Sequence, residues 1–264
     1  MSRDDVASRM RAFEAAHDDT VLPGVYTVVR LDGRGFTRLT KEQHDFERPF
    51  DSRFRAMMIE TTAHLMQETG IEVRVAYTQS DEISLVLDPG SDAFGRRVGK
   101  LTTVLAGAAS ACFSLQLGAI AVFDARVCPL PHRDDVLDYV AWRQGDAHRN
   151  ALSGHAYWAL RREGLNAQQA TERLCSASVS DKNELLFARG INVDELPAWH
   201  KRGVALLWES YEREGVDPRT GETTTTTRRR LATKLELPFG APMRDWLQAR
   251  LADPPDRASP PRRS

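Results

Sequence analysis

The sequence predicts an α+β fold, in which a ferredoxin-like βαββαβ domain carries additional helices and a C-terminal β-hairpin. Over the first 130 residues, short β-branched stretches and two long helical patterns follow one another as strand, helix, strand, strand, helix, strand. That order requires an antiparallel sheet with both helices on one face. We expect this domain to cover residues 1–130, a helical and hairpin extension to pack on it over 131–252, and a disordered Pro-rich tail to follow over 253–264.

The first strand and helix are predicted from composition and caps. A charged helix precedes residue 20, because its apolar residues recur at helical spacing. Residues 25–31 are β-branched and aromatic, which is typical of a buried strand, and the strand ends at Asp32, followed by two glycines. A helix is then predicted from an N-cap at Asp51 to about Glu68, with one apolar stripe along it.

The next strands and helix complete the predicted domain. Residues 73–77 and 83–87 are strand signals joined by the short segment Thr-Gln-Ser-Asp-Glu, which predicts a tight hairpin. A long helix rich in small residues is expected over about 92–117, and a strand around 123–127. From Arg133 to Arg189 the chain is mostly helical. Two strand-like stretches, 204–211 and 223–237, then flank the turn signal at 217–221, which predicts the C-terminal hairpin.

The composition excludes several classes of protein. Hydrophobic residues make up 41% and charged residues 28%, which is typical of globular proteins and excludes a collagen-like or wholly disordered chain. The formal net charge is −1, from 36 basic and 37 acidic residues. That balance argues against indiscriminate coating of nucleic acid, although it is compatible with a local basic groove.

The cysteines and the apolar segments predict a cytoplasmic protein with no membrane partner. The 3 cysteines lie too far apart for a CxxC motif, and their odd number makes a disulfide framework a poor explanation. No apolar signal segment follows the first methionine. The longest apolar-rich stretch, residues 98–120, is interrupted by Lys100 and Gln116, which indicates a buried or half-buried helix and not a membrane span.

Two acidic motifs are expected to meet at one edge of the sheet. Asp32 ends the first strand, and Asp81 and Glu82 lie in the hairpin between the next two. In the βαββαβ order the first strand lies beside the strand that follows this hairpin, so the carboxylates converge. Such oxygen ligands suit two Mg²⁺ ions, which support phosphoryl transfer when held about 3.5–4 Å apart. Gly33 would let its carbonyl approach a metal or a nucleotide. Each motif alone is also typical of an ordinary turn.

The same residues carry a resemblance to a known family. The sequence resembles the tRNA(His) guanylyltransferase family, including its guanylyltransferase-like branch, from about Val25 to Trp208. Four motifs carry the resemblance in order: Arg30-Leu31-Asp32-Gly33-Arg34-Gly35-Phe36, Gln79-Ser80-Asp81-Glu82, Trp142-Arg143-Gln144-Gly145-Asp146-Ala147-His148, and Ser180-Asp181-Lys182-Asn183-Glu184. It implies a polymerase-type palm that extends RNA in the 3′-to-5′ direction. In such enzymes ATP first activates the tRNA 5′-monophosphate, and the 3′-hydroxyl of an incoming nucleotide such as GTP then attacks that end.

The resemblance assigns roles at the acidic edge. It makes Asp32 and Asp81 the carboxylates of two Mg²⁺ ions, and Gly33 a backbone carbonyl ligand. Ser80 is expected to matter for activity, and Glu82 to act either as a ligand or as structural support. Nucleotide or phosphate contacts are implied for the motif loop and for basic positions beyond it: Arg30, Gly33, Arg34, Gly35, Phe36, Arg48, Asp51, Arg97 and Lys100. Many family members have Lys at the position of Arg48, and the two side chains bind phosphate with different geometry.

A crowded polar helix is expected to contact the RNA. Gln144 and His148 share one helix face by their spacing, as do Arg143 and Asn150. A lone histidine is more often structural, so His148 is not assigned as a base. The resemblance favours RNA or phosphate contacts for the later motif as well. The predicted RNA-binding residues are thus Arg143, Gln144, His148, Asn150, Lys182 and Asn183.

One departure from the family bears on the reaction. Eukaryotic members that add a guanosine opposite a non-pairing base carry His-Ile-Asn-Asn-Leu-Tyr-Asn, where this chain has His-Arg-Asn-Ala-Leu-Ser-Gly over residues 148–154. That loss favours templated repair of tRNA 5′ ends over strict addition of one guanosine to tRNA(His). A palm-type nucleotide cyclase and a non-catalytic tRNA-binding module remain as alternatives. The resemblance also implies a homotetramer.

Overall fold

The computed structural model describes residues 3–216, 219 and 223–252. In that part of the chain the centre is a six-stranded antiparallel sheet of order β4-β1-β3-β2-β5-β6. The strands are β1 (Tyr26–Arg34), β2 (Val73–Gln79), β3 (Glu82–Leu87), β4 (Val122–Leu130), β5 (Val204–Val216) and β6 (Thr223–Lys234). Apart from Arg219, the predicted turn at 217–221 lies outside the described residues, and so does the predicted tail at 253–264.

The helices follow the predicted order, with one change. They are α1 (Arg3–Glu14), α2 (Phe36–Arg38), α3 (Ser52–Glu68), α4 (Val98–Leu117), α5 (Arg133–Arg162), α6 (Ala167–Cys175), α7 (Val179–Phe187), α8 (Ala198–Arg202) and α9 (Ala241–Ala252). The helix expected from about residue 92 begins at Val98, because Phe94, Gly95 and Arg96 all adopt positive φ, at 54°, 60° and 57°. Left-handed backbone cannot continue an α-helix.

One face of the sheet is covered by α3 and α4. Leu31 and Leu85 point from the sheet into this core, where Leu105 and Phe113 of α4 meet them, and all four are fully buried. Among the described helices, α4 is the one that is long and apolar enough to cross a membrane by length and composition. One side of it packs in this core, as the sequence predicts.

The opposite face is covered by α5 and α9. Val28 and Tyr77 of the sheet pack there against Val140 of α5 and Leu247 of α9. The C-terminal hairpin does not form a separate layer, because β5 pairs with β2 and extends the same sheet. The sheet is thus shared by both halves of the chain. The end of β1 and the β2–β3 hairpin lie together at one edge of this sheet, where Asp32 and Asp81 are partly exposed and Ser80 is exposed.

Candidate active site

The predicted meeting of the acidic motifs is seen at the end of β1. Asp32 lies opposite Glu82 in the β1–β3 ladder. The N–H of Gly33 donates a hydrogen bond to the carbonyl oxygen of Asp81 at 3.1 Å. Ser80, with φ of 50°, turns the chain between β2 and β3. The pairing of β1 with β3 therefore brings Asp32 and Asp81 to one edge of the sheet.

Gly33 is required by space at this junction. A Cβ atom at this position would lie 2.5 Å from the Cγ and Cδ2 atoms of Phe36 and 2.9 Å from the Cβ of Asp81. Phe36 is 2% exposed, and its ring packs against those of Phe113 and Phe123. The phenylalanine that was predicted to contact a nucleotide is thus a core residue, which holds the end of β1 against the hairpin.

The carboxyl group of Asp81 lies in an environment that disfavours its charge. Burial raises the pKa of Asp81 to about 6, and the neighbouring charges of Asp32 and Glu82 act in the same direction. Hydrogen bonds from its own backbone and from Ser80 act against them. A buried carboxylate next to another carboxylate is stabilised by a cation.

The donor set fits a hard divalent cation. In the part of the chain that the structure describes, no group of three or more His, Cys, Asp or Glu side chains is arranged to hold a metal. The ligands available at this edge are two carboxylates, Asp32 and Asp81, and the backbone at Gly33. Mg²⁺ is commonly held by one or two carboxylates while it keeps room for water and substrate phosphates, so these residues fit that ion.

Glu82 belongs to a buried ion network. Arg143 forms a bidentate pair with the Glu82 carboxylate, with Nε 2.6 Å from Oε1 and Nη2 2.8 Å from Oε2. Arg30 lies 2.5 Å from the same carboxylate and 3.1 Å from Asp32 Oδ2. Asp146 pairs with the remaining side of the Arg143 guanidinium. Arg30 thereby connects Asp32 to the buried pair between Glu82 of β3 and Arg143 of α5.

A cleft of about 110 Å³ opens beside the hairpin. Ser80 and Gln79 line it on the sheet side, and Phe50, Arg55 and Trp199 line it on the other. Phe50 stacks on His200, which in turn contacts His155. These aromatic residues could not be predicted as part of the site, since Trp199 and His200 lie far along the chain from the loop that they contact.

The loop before α3 is ordered by Asp51. Its carboxylate accepts hydrogen bonds from the backbone N–H groups of Glu47, Arg53 and Phe54, as the predicted N-cap should. Burial alone would raise the pKa of Asp51, but these bonds and the Arg53 side chain lower it to about 2. Asp51 lines the cleft while its oxygens are engaged within the chain. Arg48, on the same loop, stacks over Trp158 at 5.0 Å.

The structure separates two of the predicted phosphate-binding residues from this site. Arg97 and Lys100 lie at the beginning of α4, where Val98 N–H bonds to the Asp19 carbonyl and Arg97 pairs with Asp18. The other end of α4 reaches Phe36 through Phe113. A helix of 20 residues is about 30 Å long, so within one chain Arg97 and Lys100 do not meet Asp32 and Asp81.

Two of the predicted RNA contacts are buried. Arg143 is 6% exposed and holds Glu82. Gln144 is 1% exposed and donates to the backbone carbonyls of Arg202 and Pro238. Both side chains therefore hold elements of the fold together and offer no surface to RNA. The other four, His148, Asn150, Lys182 and Asn183, are partly or fully exposed.

Comparisons with known proteins agree with this arrangement. The family model described as tRNAHis guanylyltransferase matches residues 7–131, and that of the Thg1 C-terminal domain matches residues 134–237. A probable tRNA(His) guanylyltransferase of Drosophila melanogaster is 39% identical over 75% of this chain and 71% of its own.

Solved structures show the same similarity. A bacterial tRNA(His) guanylyltransferase-like protein in complex with ATP has a TM-score of 0.73 at 25% identity, over 93% of this chain and 98% of its own. One in complex with GTP has a TM-score of 0.71 at 26% identity, over 94% and 100%. The two matched family models, the identity to the insect relative and the paired carboxylates lead to one conclusion: the chain belongs to the tRNA(His) guanylyltransferase family.

Proposed function

We propose that this chain is a nucleotidyltransferase that adds nucleotides in the 3′-to-5′ direction to tRNA 5′ ends, with ATP and GTP as substrates. The observation that carries the proposal is the meeting of Asp32 and Asp81 across Gly33, beside a cleft. The relatives are named as guanylyltransferases of tRNA(His), which supports tRNA as the substrate. The similar bacterial proteins, solved with ATP and with GTP, support the two nucleotides.

The sheet order supports a polymerase-type palm. The strands β4-β1-β3-β2 form an antiparallel sheet with α3 and α4 on one face, and the acidic residues lie where β1 meets the β2–β3 hairpin. We propose that Asp32, Asp81 and the Gly33 carbonyl hold two Mg²⁺ ions. Such ions lower the pKa of an attacking hydroxyl and stabilise the leaving oxygen in phosphoryl transfer.

The side chains around the carboxylates position the reactants. Arg30 fixes the direction of Asp32 through the buried Glu82–Arg143 pair. Arg48 stands near the cleft as a cation for substrate phosphates. In the proposed step the 3′-hydroxyl oxygen of a nucleotide forms a bond to the phosphorus of the ATP-activated 5′ end, AMP leaves with the bonding electrons, and the hydroxyl proton passes to solvent. Positioning and charge stabilisation are the protein's main contribution to such a step.

A 5′-extension assay tests the proposal. The protein is incubated with a 5′-truncated tRNA, ATP and the four nucleoside triphosphates, and products are resolved by length. We expect extension by the wild type and none by Asp81→Ala. Asp134→Ala is a matched control, because Asp134 is an exposed acid on α5 away from the site, and it should extend normally. Cyclic nucleotide formed without RNA, or tRNA binding without Mg²⁺-dependent transfer, would contradict the proposal.

Strict addition of a single guanosine to tRNA(His) is the second candidate. The names of the relatives favour it, whereas the altered segment His148–Gly154 favours templated repair. Running the extension assay in parallel on full-length tRNA(His) lacking its extra guanosine and on truncated tRNAs separates the two. Templated repair predicts extension of the truncated tRNAs with the nucleotides that pair with the opposite strand.

A further inference from the structure

Four cations gather near the C-terminal end of α5 and on the loop before α3. They are Lys41, Arg48, Arg161 and Arg162, which we call the cationic surface. In the part of the chain that the structure describes, none of the four forms an ion pair with a carboxylate. Like charges that gather without acidic partners repel one another, so the cluster is suited to an anion.

The cationic surface is held in place by aromatic rings. Arg48 and Arg161 lie 5.0 and 5.7 Å from the ring centre of Trp158. Lys41 and Arg161 lie 5.2 and 5.8 Å from that of Tyr157. A guanidinium stacked on an aromatic ring keeps its N–H groups at the rim of the ring, where two of them can bind one phosphate.

Hydrogen bonds within the surface use neutral acceptors. Arg48 donates to the Lys41 carbonyl at 2.6 Å, Arg161 to the Tyr157 hydroxyl at 2.9 Å, and Arg162 to the Arg48 carbonyl at 2.8 Å. These hydrogen bonds orient the side chains and leave their charge in place. Each guanidinium has five N–H donors, and Arg161 and Arg162 each use one in these bonds, so most of their donors stay available to a ligand.

The surface borders the candidate active site. Pro49, next to Arg48 in the chain, lines the same cleft as Ser80 of the β2–β3 hairpin. Gly154 of α5 packs against Pro49, where an added Cβ would lie 3.4 Å from the proline Cβ. A strand whose end enters the cleft from the side of Pro49 would pass over the loop and the outer part of α5.

We propose that the cationic surface binds backbone phosphates of the tRNA strand whose 5′ end enters the cleft, an inference that rests on the proposed function. Phosphates repeat along an RNA strand, whereas a nucleotide carries its phosphates in one short chain. Cations spread over a loop and a helix therefore suit the strand. The cations lie over the rings of Tyr157 and Trp158. We therefore expect this surface to bind phosphate and not to recognise base identity.

The test removes charge at three positions and compares a matched control. The surface variant is Lys41→Gln/Arg161→Gln/Arg162→Gln. The control is Arg38→Gln/Arg189→Gln/Arg244→Gln, which removes the same charge from arginines that pair with Glu42, Glu163 and Asp138. The tRNA dissociation constant is measured by filter binding over a range of NaCl concentrations, and KM for ATP and for tRNA in the extension assay.

The expected result is specific to phosphate binding. The slope of log K against log salt should fall by about one for each cation that no longer binds a phosphate, with about eightfold weaker binding per cation at 0.1 M salt, while the control stays near the wild type. KM for tRNA should rise and KM for ATP should not. Arg161→Lys/Arg162→Lys, which keeps the charge, should retain most of the slope.

Three results would overturn the proposal. In the first, the surface variant has the affinity and slope of the control. In the second, KM for ATP rises while tRNA binding is unchanged, which would make the surface a nucleotide-triphosphate site. A wild-type protein that binds tRNA but never extends it would instead contradict the proposed function, and the binding comparison would still test the surface. A Lys variant that folds like the wild type yet binds like the Gln variant would also count against it.

Discussion

Replacement of Gly33 by alanine should uncouple the two carboxylates. The added methyl group would lie 2.5 Å from the ring of Phe36 and 2.9 Å from the Cβ of Asp81. Favourable carbon contacts lie at about 3.5–4.0 Å, so either neighbour has to move by roughly 1 Å. Phe36 cannot yield readily, because it is 2% exposed among other aromatic rings. The strain therefore falls on the junction between β1 and the hairpin.

The size of the effect differs between stability and activity. Overpacking by one methyl group costs about 1–3 kcal/mol of the free energy of unfolding, which urea denaturation measures. A displacement of about 1 Å between groups that position a reaction can lower its rate by about 100-fold. We therefore expect Gly33→Ala to fold with reduced stability and to lose about 100-fold or more in 5′-extension rate.

A second glycine provides the control. Gly107 lies within α4, and a Cβ added there would meet no atom within 4 Å, so Gly107→Ala should raise the free energy of unfolding by about 0.5–1 kcal/mol. If Gly33→Ala has the stability of the wild type and extends tRNA at the wild-type rate, the close approach at this junction is unimportant and the reasoning is wrong.

Three further predictions concern charge. Arg143→Met should lower the free energy of unfolding, measured in urea, by about 2–4 kcal/mol, because the buried Glu82 carboxylate loses a bidentate partner and keeps only Arg30. The double variant with Glu82→Leu should recover part of the loss. A loss below about 1 kcal/mol would contradict this expectation. Mg²⁺ should raise the unfolding temperature of the wild type at pH 7.5 and should not raise that of Asp81→Asn. The increase should be smaller at pH 5, because protons then compete with Mg²⁺ for the Asp81 carboxyl group, whose pKa is about 6. Burial lowers the pKa values of His155 and His200 to about 4. The contribution of these neutral imidazoles to the free energy of unfolding is complete above about pH 6.5 and should be lost as pH falls toward 4. An equally steep fall in the stability of His200→Phe would refute that cause.

The local elements of this fold could be predicted because their signals are local. The cap at Asp51 and the helix Ser52–Glu68 follow from neighbouring residues, and the structure places both where the sequence indicates. The meeting of Asp32 with the hairpin follows from strand order alone. The start of the second long helix could not be predicted, because left-handed backbone at Phe94 and Arg96 is unusual for these residue types.

The site was predicted less completely, because its other parts depend on direction and docking. Arg97 and Lys100 match a phosphate-binding pattern, but β3 runs away from the hairpin, so a helix that follows it begins at the far end of the sheet. Arg143 was expected at an RNA surface, yet α5 turns this charge inward to meet Glu82. Only the packed structure shows that pairing. Along residues 157–162 two aromatic residues are followed, one helical turn later, by two arginines, and that spacing is a sequence signal of the cationic surface.

The proposed function depends on nucleotide addition to tRNA 5′ ends at the Asp32–Asp81 site, and one measurement addresses that addition itself. A truncated tRNA is prepared with each of the four bases opposite the missing 5′ position, and the nucleotide added by the wild type and by Asp81→Asn is identified. We expect the wild type to add the complementary nucleotide each time and Asp81→Asn to add none. Undiminished addition by Asp81→Asn, or no addition by the wild type to any of the four, would contradict the proposed function.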